Sequence, residues 1–395
     1  MNKCLALLLV ILACAGCGPL SSSDPAPKEY KTLTADGWSL SVLRYQPVCG
    51  ADPQRPPVVL CHGLSYNSSF YDLAPAVSLA RYLRDRGHDV WVPSLRGAGW
   101  STKPPLSRLR QLFRGDLYTA GGVFSSGGKG LLKVNWTVDD HIRQDMPAIL
   151  DLVSEHTGQR KVQWVGHSMG GMILVGYLAV QAQGQAAATS PATQPASGPA
   201  EDRIAGFVAL GVPVFIEPPL SAPLAGIAKD NEVMAISNTL ISTNLPAILG
   251  QIGGTALRTP IDVLFYNRAN VSDDTVRRLN NWGTEDISPG QFGQLVDMVR
   301  GGYFRSTDGG IDYTAQLAAT RTPALFLAGT VDNLATVESV KRLYRQWGAK
   351  DKQFVLLGAV NGQAIDYGHD DLVIGKNARY ESYPVIEQWL RAKGR

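Results

Sequence analysis

The stretch that decides the fold reads Val162-Gln163-Trp164-Val165-Gly166-His167-Ser168-Met169-Gly170-Gly171-Met172-Ile173-Leu174. A short strand-forming run ends at Val165, the pentapeptide Gly166-His167-Ser168-Met169-Gly170 follows, and an apolar helical run begins at once. Gly-x-Ser-x-Gly between a strand and a helix is the nucleophile-elbow pattern, which seats serine on a strained turn with its hydroxyl presented above the sheet. Glycine supplies 41 of 395 residues, so about 0.3 such pentapeptides arise by chance at this composition. The flanks therefore carry the reading. Gly166 and Gly170 are small enough to let strand and helix pass closely, as the elbow requires.

Working outward, short apolar runs recur at Pro57–Cys61, Asp89–Val92, Phe207–Leu210, Ala324–Leu327 and Phe354–Leu357, separated by longer helical stretches. Buried parallel strands with intervening helices have this rhythm. The expected class is α/β, a mostly parallel sheet with helices on both faces. Thr137-Val138-Asp139-Asp140 resembles a capping box, and Ile142, Met146, Ile149, Leu150 and Val153 recur at helical spacing up to Gly158, which predicts one helix feeding the elbow strand. Hydrophobic residues at 45% and charged residues at 18% suit a folded protein. A net charge of +3 without a dominant basic block excludes the electrostatic footprint of a nucleic-acid binder.

Three segments break the rhythm. Residues 182–202 are nearly all Ala, Gln, Ser, Thr, Pro and Gly, without the apolar content needed to order a core, and read as a disordered insertion. In Lys103–Lys133, Gly127-Gly128-Lys129-Gly130 superficially resembles a phosphate loop. It fails the pattern, because Val123 takes the first glycine position and Gly130 replaces the hydroxyl residue after lysine. Residues 213–320 carry helical patterns, including a start at Ser288-Pro289, and are expected to form a helical cap between two halves of the core, 30–212 and 321–395. Apolar residues from Pro218 to Leu249 suit either an acyl pocket or the cap's own core.

The amino terminus has a basic start at Lys3, an apolar run from Leu5 to Ala13, and Ala15-Gly16-Cys17. This pattern predicts a signal peptide over 1–16, too short for a permanent span, with Cys17 exposed by cleavage. Small residues before Cys17 resemble a bacterial lipobox; a lipid there would hold the protein on a membrane surface, with 17–29 as tether. Cys14 is a poorer second candidate. The expected location is the bacterial cell envelope, facing the periplasm or the exterior, with the outer membrane favoured. All five cysteines precede residue 62. Cys49 and Cys61 can pair in an oxidising compartment, although Cys61 also suits a core position.

A nucleophilic serine needs a base and an acid, and after an elbow they follow in the order Ser, Asp or Glu, His. Of the six histidines only His369 lies beyond Ser168. It occupies a loop, Asp366-Tyr367-Gly368-His369-Asp370-Asp371, after the last strand. Asp332 follows the preceding strand and is the expected acid, with Asp308, Asp312, Glu338 and Asp366 as alternatives. The oxyanion hole is expected from the N–H of Met169, after the nucleophile, and that of Leu64, in His62-Gly63-Leu64 after an early strand. His62 is then a turn residue.

With His62-Gly63-Leu64, Ser94 to Ser101, Trp136 to Ala148, Gly166 to Gly171, Asp332-Asn333-Leu334-Ala335 and Gly368-His369 in this order, the chain resembles an α/β-hydrolase. The stretch from Trp136 through Asp145-Met146-Pro147-Ala148 is similar to the acid-lipase-like branch. The resemblance covers most of Tyr30 to Arg395 and implies hydrolysis of carboxylic esters, lipid esters among them, with no metal or organic cofactor. The cap and the insertion depart from that branch, so the substrate is not implied. Ser168 in place of cysteine or aspartate argues against polyester synthases, dehalogenases and epoxide hydrolases. Two other readings stand beside it: acyl transfer or amide cleavage by the same residues, and a lipid-binding lipoprotein without catalysis.

Overall fold

The computed structural model describes residues 24–47, 50–52, 54–103, 135–187, 202–216 and 262–393. Cys14, Cys17, Cys49, the glycine-rich Gly127–Gly130 segment and the apolar cap stretch Pro218–Leu249 lie outside the described residues. Ten strands are described: β1 Lys28–Leu33, β2 Ser39–Tyr45, β3 Val58–Cys61, β4 Asp72–Ala74, β5 Val77–Ser78, β6 Val90–Ser94, β7 Val162–His167, β8 Ile204–Leu210, β9 Ala324–Gly329 and β10 Lys352–Leu357. Eight of them form one sheet in the order β1-β2-β6-β3-β7-β8-β9-β10. From β6 to β10 the pairs are parallel, and only β1/β2 and β2/β6 are antiparallel. This is the α/β-hydrolase fold.

Side chains alternate across the sheet with the period of two that strands impose. Val59 and Cys61 of β3, Trp164 of β7 and Phe207 and Ala209 of β8 join one core layer. Val58 and Leu60, Val165, and Val208 and Leu210 of the same strands join the other. The first layer is covered by helices α1 Met146–Thr157 and α2 Met169–Ala187, the second by α3 Ser382–Lys393. Strands buried on both faces read as unbroken apolar runs, which is why the central ones were legible. The edge strand β1, Lys-Glu-Tyr-Lys-Thr-Leu, has one exposed face and no such run. It begins at Lys28, inside the stretch assigned to the tether.

The expected helix from Thr137 to Gly158 is three pieces. A capping box between Thr137 and Asp140 opens it, a π-turn occupies His141–Asp145, and the α-helix proper starts at Met146. Pro147 has no N–H to give and its ring crowds the carbonyl a turn earlier, so the chain widens there. The turn brings Asp145 to Arg96: the Arg96 backbone N–H and Nε donate to the Asp145 carboxylate at 3.1 and 2.8 Å, and His141 Nδ1 donates to it at 2.7 Å. α2 continues to Ala187, past the residue at which the low-complexity stretch was expected to begin; 188–201 lie outside the described residues. Between β8 and β9, Ser288 and Gln291 form a capping box for the helix Pro289–Gly301, at the start read from Ser288-Pro289. Cys61 is a free thiol with no solvent exposure.

Candidate active site

The chain runs from β3 to β6 on one side of β3 and then takes β7 on the other. In parallel sheets such a reversal opens a crevice at the carboxyl ends of the strands. The loops after β3, β7, β9 and β10 all leave at that end, and they carry Leu64, Ser168, Asp332 and His369.

Ser168 sits at φ +52°, a left-handed conformation that is strained for a residue with a Cβ. It is held there by close approach. A Cβ on Gly170 would fall 2.1 Å from the Cys61 carbonyl oxygen, and one on Gly166 2.5 Å from Gly171 N. The helix thus lies directly against the ends of β7 and β3, and the Ser168 N–H donates to Leu210 O on β8 at 2.9 Å. On the other side a Cβ on Gly63 would fall 3.1 Å from Ser168 Cβ, so the His62-Gly63-Leu64 loop faces the serine. Met169 is the first residue of α2, where an N–H has no intrahelical acceptor.

His369 and Asp332 are paired. His369 Nδ1 donates to Asp332 Oδ2 at 2.9 Å, with both residues buried. The second carboxylate oxygen, Oδ1, accepts the N–H groups of Leu334 and Ala335, each at 2.8 Å. Asp332 therefore has its oxygens fixed in place, and His369 presents Nε2 as its acceptor nitrogen. A Cβ on Gly211, the residue after the Leu210 that anchors Ser168, would fall 3.1 Å from both Asp332 Oδ2 and His369 Nδ1. The serine turn and the Asp-His pair thus border one another at the end of β8. Burial works against the charged imidazole. The charge and hydrogen bond of Asp332, with Asp370 and Asp371 behind, outweigh it and hold His369 above its ordinary value.

The remaining candidates lie elsewhere. Asp366 accepts from Thr330 Oγ1 and Ala359 N and ties the β9 and β10 loops. Asp308 and Asp312 accept from neighbours within their own turns, and Glu338 pairs with Arg345 on the surface. His62 accepts the Leu95 N–H at Nε2 and donates from Nδ1 to Gly63 O. Burial pushes it down to about 4, so it is a neutral turn residue.

Residues that sequence reasoning passed over surround the pair. His167 Nε2 donates to the His369 carbonyl at 3.2 Å, its ring packs on Phe70 at 4.8 Å, and Tyr66 Oη donates to Asp370 Oδ2 at 2.6 Å. Burial pushes the Asp370 carboxyl up to about 7. Asp370 was legible as a neighbour of His369, but nothing in the sequence brings Tyr66 to it. His167, His369 and Asp370 bring ligand-type atoms within 4.8 Å of one another, as a metal would require. His369 Nδ1 is bonded to Asp332, His167 Nε2 to the His369 carbonyl and Asp370 Oδ2 to Tyr66, while His167 Nδ1 and Asp370 Oδ1 have no hydrogen-bond partner among the described residues. Beside Gly63 and Met169 lies a cavity of about 10 Å³, also lined by Tyr66, His141, Glu285 and Gln291, the room of roughly one water.

Residues 56–219 match the family model for the alpha/beta hydrolase fold. Triacylglycerol lipase 2 of Arabidopsis thaliana is 24% identical over 396 residues, covering 92% of this chain and 84% of that one. Gastric triacylglycerol lipase of Homo sapiens is 32% identical over 156 residues, of which the match takes in 38% of this chain and 35% of that protein. Among solved structures, a thermophilic esterase from Thermogutta terrifontis aligns with TM-score 0.54 at 17% identity, over 93% of this chain and 100% of that chain. A monoacylglycerol lipase from Paleococcus ferrophilus aligns with TM-score 0.52 at 18% identity, over 90% and 99%. The chain thus has relatives named as lipases and esterases, and its fold is theirs.

Proposed function

We propose that the protein is a serine hydrolase of carboxylic esters in which Ser168 is the nucleophile, His369 the base and Asp332 its orienter. One observation carries the reading: a strained serine elbow shares the carboxyl end of the sheet with a buried His-Asp pair whose free nitrogen is an acceptor. His369 Nε2 takes the Ser168 proton as Oγ attacks the ester carbonyl, and the Leu64 and Met169 N–H groups hold the oxyanion. Collapse expels the alcohol, protonated by His369, and leaves an acyl-enzyme. Water activated by the same imidazole then releases the acid. The lipase and esterase names of the relatives support ester substrates, and lipid-like esters fit the apolar residues of Pro218–Leu249. The same reading has Cys17 carrying a lipid that tethers the enzyme to the bacterial envelope, its small preceding residues being the support.

The test is turnover of nitrophenyl esters from about two to about sixteen carbons, a range spanning esterase and lipase pockets, by protein beginning after Cys17 and by Ser168→Ala. Loss of turnover in a folded Ser168→Ala protein is expected; retained turnover refutes the assignment. Activity confined to amide or thioester substrates, or product transfer to added alcohols, would replace hydrolysis of esters with the corresponding acyl chemistry. Mass spectrometry of envelope-extracted protein tests the tether, which fails if Cys17 is unacylated.

A further inference from the structure

We infer that cap residues 283–291 are a fixed wall of the oxyanion hole, with Glu285 as its positioning residue; this rests on the serine-hydrolase reading above.

The loop that carries Leu64 is not self-supporting. The next residue, Ser65, stands at φ +60°, the only described non-glycine position besides Ser168 with positive φ. Such a conformation persists only where its surroundings hold it. Here the cap holds it. The Glu285 N–H donates to Ser65 O at 2.7 Å, the Asn67 N–H donates to Gly283 O at 3.0 Å, and Tyr66 pairs with Thr284 as an antiparallel bridge. One bridged pair and its two flanking backbone hydrogen bonds therefore stitch the cap to the loop directly after Leu64.

The Glu285 side chain then joins three separate donors. Oε1 accepts from Asn67 Nδ2 at 2.8 Å and from the Gly99 N–H at 2.9 Å, and Oε2 accepts from Lys103 Nζ at 2.6 Å. Asn67 belongs to the loop after β3, while Gly99 and Lys103 follow β6. Glu285, Asn67 and Lys103 are all buried. A carboxylate removed from water is stable only with its hydrogen-bonding capacity met, and these donors do so. Six residues further on, Gln291 Nε2 donates to His141 Nε2 at 2.9 Å and approaches Met169 Sδ at 3.7 Å. One short arm of the cap thus touches the surroundings of both proposed oxyanion donors. It faces them across the one-water cavity that Gly63, Met169, Glu285 and Gln291 share. An arm bonded at this many points is part of the site's wall and does not lift to admit substrate.

The experiment compares Glu285→Ala and Glu285→Gln with the parent for kcat, KM, thermal midpoint and the inhibition constant of an arylboronic acid, which forms a tetrahedral adduct with the serine. Displacement of the loop by about 1 Å costs roughly 100-fold in rate. Glu285→Ala is expected to lose kcat on that scale with KM little changed, and to bind the boronate more weakly by the same factor. Glu285→Gln keeps Oε1 for Asn67 and Gly99 but turns an amide NH2 toward the buried Lys103 ammonium, so kcat and boronate affinity are expected to fall in parallel by a smaller factor than in Glu285→Ala. A lowered midpoint with unchanged kcat and boronate affinity would overturn the inference, as would a change confined to KM. If Glu285→Ala does not fold, Glu285→Gln decides: a parallel fall in kcat and boronate affinity supports the wall, and parental values for both reject it. An active Ser168→Ala would sink the serine reading itself, whereas an inactive Ser168→Ala beside a fully active Glu285→Ala sinks only this inference.

Discussion

Replacing Asp332 with Asn changes one atom, and the surrounding hydrogen bonds dictate what that atom does. Oδ1 accepts two backbone N–H groups, from Leu334 and Ala335, each at 2.8 Å. An asparagine must therefore keep its carbonyl oxygen at that position, or confront two donors with a third. Its NH2 group is then forced toward His369 Nδ1, which in the parent donates to Oδ2 at 2.9 Å. To accept from the amide, Nδ1 must lose its proton, and the proton moves to Nε2. The imidazole then has no lone pair for the Ser168 hydroxyl. A tautomer error of this kind costs about 10⁴ in kcat, which is about 5 kcal/mol of barrier. The fold should survive, since both backbone contacts remain.

The assay is ester hydrolysis across pH. In the parent, His369 must be neutral to act, and its raised value puts the acid limb of kcat/KM above the ordinary histidine value of about 6.5. Asp370 and Asp371, each pushed up to about 7 by burial, protonate over the same range. In Asp332→Asn burial is no longer opposed by that charge, so the acid limb should move down while the plateau falls by about 10⁴. A loss of less than tenfold, or an acid limb that does not move, would show that Asp332 does not orient the base.

Other consequences follow from single contacts. Gly170→Ala would put a methyl 2.1 Å from the Cys61 carbonyl oxygen, a backbone atom that cannot swing away. The helix must shift, with an expected loss of about 1–3 kcal/mol by denaturant melting and a fall in kcat as Met169 N–H moves; an unchanged variant would mean the elbow is looser than described. Removing Asp145 with Ala leaves buried His141 Nδ1 without its acceptor and leaves buried Arg96 paired with Asp36 alone, for an expected loss of about 3 kcal/mol. Burial alone would raise the Asp145 carboxyl, but His141 and Arg96 hold it below its usual range. Its stabilisation is thus complete above the unfolded carboxyl value and is lost as pH falls through the folded one, so parent and variant should converge in stability toward strong acid. His167→Phe keeps the ring against Phe70 but deletes the donor to the His369 carbonyl. A fall of roughly tenfold in kcat at constant KM is expected from a loosened base loop, and parental kinetics would show that the remaining loop contacts suffice.

Much of this site was legible before any coordinates. Parallel strands buried on both faces must be apolar throughout, so β3, β6, β7, β8 and β9 announced themselves, as did the apolar half of edge strand β10 and the glycines at which helix and strand touch. Chain order singled out His369, because no other histidine follows Ser168. The half-exposed β1 gave no comparable signal, and the π-turn at His141–Asp145 was read as plain helix because Pro147 at a helix start and Pro147 after a widened turn look alike in sequence.

Contacts between distant segments could not be read at all. Glu285 meets Asn67, Gly99 and Lys103 across more than 180 residues in each case, and Tyr66 meets Asp370 across 304. Local chemistry determines strands, turns, caps and the residue types a reaction needs, because those depend on neighbours a few positions apart. Which buried carboxylate receives which donor depends on how the loops after separate strands are brought together. That is decided only when the sheet is assembled and water has left the spaces between them.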